Sequence, residues 1–213
     1  MFHNTFLKIL RGEDELEVIY NKVQKLCAVI DYNLLEKTPE MAVKLAPIMM
    51  QNMKKDQTLI HTDENYYVAR DISTNTYYMC YKNILMIDID MDKIKETQNL
   101  NQILQHFSGK DECFKIYESR NGYHVFCISR TFHYRDPKTI EFMLNNYCDF
   151  YYSIHAYIRG FSVRLNKKFN EKKSLYTCHG LVGNIEKRNT ELEKLVDLHI
   201  KYTKQFEHTL NNQ

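Results

Sequence analysis

The 213-residue chain has no tryptophan, only three prolines and only six glycines. That scarcity excludes collagen-like, Pro-rich and Gly/Ser-linker classes, and any fold that depends on many glycine turns. Long apolar runs are missing as well. The longest clean stretches, such as NILMI at 83–87, fall far short of the roughly 20 residues a membrane span needs, so no membrane association is expected. The opening MFHNTFLKILRGEDELE lacks a basic start, an apolar core and a small-residue cleavage site, so the chain reads as intracellular and not secreted. Six cysteines at 27, 80, 113, 127, 148 and 178 include no Cys-x-x-Cys pair, which favours buried thiols over a disulfide framework or a Cys-based zinc site. Charge of one sign is also lacking: 29 Lys and Arg against 27 Asp and Glu leave a net +2. Local distribution must therefore decide whether a polyanion is bound.

What is present is a globular composition, 44% hydrophobic and 13% aromatic, with two periodicities. Residues 13–31 and the segment opening at Thr38-Pro39 read as amphipathic helices, the second with Thr38 as N-cap, Pro39 at its first position and a kink near Pro47. From about residue 60 the pattern turns to Tyr- and Ile-rich runs, 66–72 and 76–89, read as strands. A helical pattern over 93–107 ends at Gly109. Two apolar runs, 113–118 and 123–128, flank Ser119-Arg120-Asn121-Gly122 and predict a hairpin turning on Asn121-Gly122. Residues 137–158 carry a helical face, with strand segments open as an alternative after Tyr147. Residues 161–165 alternate as a strand, and 186–206 form a terminal helix. The order of elements gives an α+β (mixed α/β) domain, divided as an N-terminal helical region 1–59, a core 60–185 and a C-terminal helix 186–213.

Three segments can carry chemistry. NILMIDIDMD at 83–92 is an apolar strand that begins to alternate, placing Asp88, Asp90 and Asp92 on the face opposite Ile87, Ile89 and Met91. Two such carboxylates suit Mg²⁺ or Mn²⁺ on a phosphorylated substrate; the competing reading is a strand running out into a solvated acidic turn. In IYESRNGYHVF at 116–126, an Asn121-Gly122 loop would set Ser119 directly across from His124. Hydroxyl, imidazole, turn N–H groups and Arg120 would then make a phosphate cradle; the alternative is a surface hairpin with an incidental histidine. RGFSVRLNKKFNEKK at 159–173 holds six Lys or Arg against one acid, with Arg164 on the face opposite Phe161, Val163 and Leu165, and Lys167 just beyond. Such a patch neutralises phosphates, or is simply a solvated lysine run.

These three pieces, in this order, resemble the catalytic core of the archaeo-eukaryotic primase superfamily over roughly residues 60–175. The matching elements are the acid-x-acid strand end Asp88-Ile89-Asp90, the small-x-His strand Gly122-Tyr123-His124, and a third acid, Asp149, ahead of the Arg- and Lys-bearing SVRLNKK. Gly122 stands where many members have serine, with Ser119 as a substitute hydroxyl. The resemblance implies a primase-type core around a central, mostly antiparallel sheet. It implies that Asp88, Asp90 and Asp149 hold Mg²⁺ or Mn²⁺, and that Ser119, Arg120, Asn121, Gly122, His124, Arg164 and Lys167 bind the nucleotide. It also implies nucleotidyl transfer from nucleoside triphosphates onto a single-stranded DNA template, alongside a replicative helicase or polymerase. The Lys-, Asn-, Ile- and Tyr-rich composition would suit a large DNA virus, at its site of DNA replication. Two other classes stay open: a catalytically idle nucleic-acid-binding replication factor, and a metal-dependent glycosyltransferase, which also uses an apolar strand ending in Asp-x-Asp.

Overall fold

The computed structural model describes residues 36–53, 57–72, 74–90, 100–119, 121–166 and 176–210. The expected helix at 13–31 and the side chains of Asp92, Arg120 and Lys167 lie outside them. Helix α1 (Pro39–Met53) opens as its sequence predicts, with the Thr38 hydroxyl accepting from the Met41 N–H at 3.2 Å. Its buried face is Ala42, Leu45 and Ala46. Then come β1 (Gln57–Thr62), β2 (Tyr66–Asp71), β3 (Thr76–Tyr81), β4 (Met86–Asp90), α2 (Leu100–Ser108), β5 (Cys113–Ser119), β6 (Gly122–Cys127), α3 (Pro137–Leu144), α4 (Phe150–Arg159), β7 (Phe161–Arg164), β8 (Thr177–Gly183) and α5 (Thr190–Leu210).

The class is α+β, and the strands are shared between two antiparallel four-stranded sheets, ordered β1-β2-β3-β7 and β4-β6-β5-β8. One apolar core joins them, with Tyr81, Tyr117, Phe107, Phe114, Phe126 and Phe161 among its largest fully buried side chains. The Tyr81 hydroxyl donates to the Leu195 and Val196 carbonyls of α5 at 3.1 and 3.0 Å, tying the first sheet to the terminal helix. Cys80, Cys113, Cys127 and Cys148 are buried free thiols and Cys178 is exposed. No helix among the described residues is long and apolar enough to cross a membrane.

Three expectations are corrected. The run 76–89 is two strands in different sheets. The chain leaves β3 at Lys82, whose N–H bonds to the Asn65 carbonyl, and enters β4 after Leu85, whose carbonyl accepts from Cys127. Ile84 and Leu85 are buried at the crossing, so the apolar pattern continues where the pairing changes. The hairpin does not turn on Asn121-Gly122, because Gly122 is itself paired: Gly122 pairs with Ser119, Tyr123 with Glu118 and His124 with Tyr117. The 137–158 helix is broken, not continuous, and contains no strand. Asn145 caps α3, Tyr147 adopts a left-handed φ of 66°, and Asp149 caps α4. Strands β1 and β8 were not read from sequence. The first is exposed along its whole length and so carries no alternation; the second holds Gly180 and Gly183 at positive φ.

Candidate functional site

Among the described residues, strand β4 stands at the edge of its sheet, paired with β6 alone. Its alternation buries Ile87 and Ile89 completely and leaves Asp88 and Asp90 half-buried on the other face. The ladder sets Asp88 opposite His124 and Asp90 opposite Gly122. His124 Nε2 lies 3.3 Å from Asp88 Oδ1. Because side chains alternate with period two, the corrected hairpin register still leaves Ser119 on the face of His124, now diagonal to it. Gly122 is required by close approach: a Cβ there would fall 1.7 Å from the Ile89 carbonyl oxygen. Any residue with a side chain, serine included, would meet the same clash on this backbone.

Asp88, Asp90, Ser119, Asn121 and His124 form one wall of a cleft of about 560 Å³. The facing wall comes from β3, β7 and α4. Arg164 on β7 pairs with Tyr78 on β3, and both reach the cleft. Arg159, at the end of α4, donates from Nη2 to the Ser162 hydroxyl at 3.1 Å and lies 4.5 Å above the Tyr78 ring. No described carboxylate forms an ion pair with either guanidinium. One and two turns before Arg159, the same face of α4 presents His155 and Tyr152 to the cleft. Burial, aided by the neighbouring Arg159 charge and opposed by Asp149, lowers the His155 pKa to about 4, so this imidazole is neutral near pH 7. Burial holds the Tyr152 hydroxyl well above its ordinary pKa.

Five cleft-lining side chains carry a buried polar atom with no hydrogen-bond partner among the described residues: Tyr78 Oη, His124 Nδ1, Tyr152 Oη, His155 Nδ1 and Arg159 Nε. Each such atom costs about 1–3 kcal/mol when left unpaired. Their concentration in one cleft marks a ligand surface.

Asp149 stands beside the acidic wall. Its N–H donates to the Asp88 carbonyl at 2.7 Å, and its carboxylate accepts from the Tyr152 N–H at 2.9 Å. It caps α4 and does not line the cleft. Burial raises the Cys148 thiol pKa, against a backbone hydrogen bond at Asp88 and with the charges of Asp88, Asp149 and Asp90 adding to the rise. Among the described residues no three His, Cys, Asp or Glu side chains cluster tightly enough to form a metal cage. The donor set nevertheless fits Mg²⁺ or Mn²⁺. Two carboxylates at i and i+2 on an edge strand match ions that keep several waters and take further ligands from substrate phosphates.

The cleft thus unites Asp88, Asp90, Ser119, Asn121, His124 and Arg164, with Gly122 buried behind them. Sequence reading missed Tyr152, His155 and Ser162 as site residues, and gave Arg159 no more than a place in a basic count. The available signal was the spacing of Tyr152, His155 and Arg159 at i, i+3 and i+7 on one helix face. No family model, curated protein or solved structure matches the chain.

Proposed function

We propose that this chain is a primase or primase-polymerase catalytic module that transfers a nucleotide from an NTP or dNTP onto a 3′ hydroxyl on a single-stranded DNA template. The observation that carries the reading is the opposition of two charged walls across one cleft: Asp88 and Asp90 on β4, Arg159 and Arg164 on α4 and β7. Phosphoryl transfer needs that pairing, because catalysis is mostly positioning and charge stabilisation around the reacting phosphate. Asp88 and Asp90 would hold one or two Mg²⁺ or Mn²⁺ ions, whose Lewis acidity favours attack at the α-phosphate and stabilises the leaving pyrophosphate. Arg164 and Arg159 bind the triphosphate as charge-assisted donors. His124, held at Asp88, offers its unpaired Nδ1 edge to the same ligand, and Ser119 and Asn121 add polar contacts from the hairpin end.

One observation favours a second reading: the lack of a three-ligand metal cluster among the described residues suits an idle relative that only grips nucleic acid and recruits a replicative helicase or polymerase. The glycosyltransferase reading leaves the arginine wall without assigned work. Incorporation of labelled nucleotides on single-stranded DNA, with and without primer, in Mg²⁺, in Mn²⁺ and in EDTA, separates these cases. Metal-dependent product without primer identifies a primase; product only with primer identifies a polymerase. No product from folded protein that still binds the DNA in EDTA overturns the catalytic reading in favour of the second.

A further inference from the structure

Beside Arg159, helix α4 presents two neutral hydrogen-bonding side chains to the cleft. Tyr152 is only 8% exposed, its hydroxyl has no hydrogen-bond partner among the described residues, and it lines the cleft. His155 follows at i+3 on the same helix face, with Nδ1 buried and equally unpartnered. Both side chains line the cleft together with Asp88, Asp90, Arg159 and Arg164.

We infer that Tyr152 and His155 form the subsite that hydrogen-bonds the sugar hydroxyls of the nucleotide, making them specificity-determining residues of the site. This rests on the nucleotidyl-transfer reading above. The chemistry of the groups selects the ligand. A phosphate is an acceptor only and is served by the guanidiniums. A sugar hydroxyl both donates and accepts, which matches a tyrosine hydroxyl and a neutral imidazole, each able to take either role. His155 is kept neutral by burial and by the Arg159 charge, so it does not compete with the arginines for anions. A buried polar atom paired only when the right ligand is bound rejects an analogue that lacks the partner group. The two orphaned atoms, unfavourable in the free protein, therefore become a source of discrimination.

The test is equilibrium binding of ATP, 2′-deoxy-ATP and 2′,3′-dideoxy-ATP with Mg²⁺ and no DNA, on the full chain and on Tyr152→Phe, His155→Phe and the double variant. These substitutions remove orphaned polar atoms, so thermal stability should hold or rise, and loss of binding cannot be put down to unfolding. The wild-type chain should bind ATP about tenfold tighter than its dideoxy analogue or better, the step that one lost hydrogen bond gives. The double variant should bind all three alike. An equal preference in wild type and double variant overturns the inference, as does wild-type affinity that follows the base across ATP, GTP and CTP and ignores the sugar. Nucleotide incorporation that still requires Asp88 and Asp90 would, in either case, leave the function standing. Failure of the wild-type chain to bind any nucleotide removes both.

Discussion

Asp88 and His124 face each other across the β4–β6 ladder, with 3.3 Å between a carboxylate oxygen and Nε2. That contact fixes the imidazole of a cleft-lining residue, whose Nδ1 is buried and has no hydrogen-bond partner among the described residues. A carboxylate proposed as a metal ligand thus also orients a cleft-lining histidine.

His124→Phe should therefore keep the fold, since it removes an unpaired buried nitrogen, yet weaken nucleotide binding about tenfold, the scale of one good hydrogen bond. Nucleotide titration of the folded variant checks this; unchanged affinity would remove His124 from the ligand surface.

Gly122→Ala should be severely destabilising, by about 3 kcal/mol or more. The new Cβ would fall 1.7 Å from the Ile89 carbonyl oxygen and 2.8 Å from its carbon, so β4 and β6 must part where Asp90 is held. Urea denaturation measures the loss, and a Gly122→Ala protein of native stability would contradict the register.

Lys115→Met should cost about 2–4 kcal/mol. The lysine is buried on β5, 2.9 Å from Glu193 and 2.7 Å from Asp197 of α5. Tyr117 donates to the same Asp197 carboxylate at 2.6 Å. Burial alone would lower the Lys115 pKa, but its bonds to Asp197 and Glu193 outweigh it and raise the pKa. Removing the cation takes away the charge both carboxylates share and leaves Glu193 to Arg188 and Asp197 to the Tyr117 hydroxyl. Lys115→Met combined with Asp197→Asn should recover part of the loss, which a double-mutant cycle by chemical denaturation reads directly.

Acid should unfold the chain through two neutral histidines. Burial lowers the His199 pKa to about 3, with His124 and Lys115 adding to the drop and the Val196 carbonyl and Asp197 opposing it; His155 lies at about 4. An unfolded histidine titrates near 6.5, so between that pH and about 4 the unfolded chain binds more protons than the folded one. Stability then falls as pH drops, by up to about 1.4 kcal/mol per pH unit for each group. His199 packs against Tyr117, Phe126 and Tyr176, so His199→Phe suits its surroundings and should flatten the slope from pH 6.5 to 4. An unchanged slope in His199→Phe would contradict this assignment.

How much of this was legible follows from which interactions are local. The acid-bearing strand could be read because alternation at Ile87, Asp88, Ile89 and Asp90 is a period-two signal, and Thr38-Pro39 could be read because a cap is set within four residues. The division of 76–89 between two sheets was not legible, since Ile84 and Leu85 are as apolar at the crossing as in a strand. The turn position failed because a steric demand from another strand, the Ile89 carbonyl against Gly122, outranked the local preference of Asn-Gly. Arg159, His155 and Tyr152 were hidden because only the packing of α4 against the sheets brings that stripe opposite Asp88.

Everything proposed for the cleft depends on Asp88 and Asp90 acting as the acids of a metal-dependent nucleotidyl transfer. The most direct test is the rate of labelled-nucleotide incorporation on primed single-stranded DNA by Asp88→Asn/Asp90→Asn beside the wild-type chain, in Mg²⁺ and in Mn²⁺, with circular dichroism confirming the fold. The account predicts incorporation by the wild type and a loss of about a thousandfold or more in the double variant, since several kcal/mol of transition-state stabilisation depend on those carboxylates. Full activity in the double variant would contradict it.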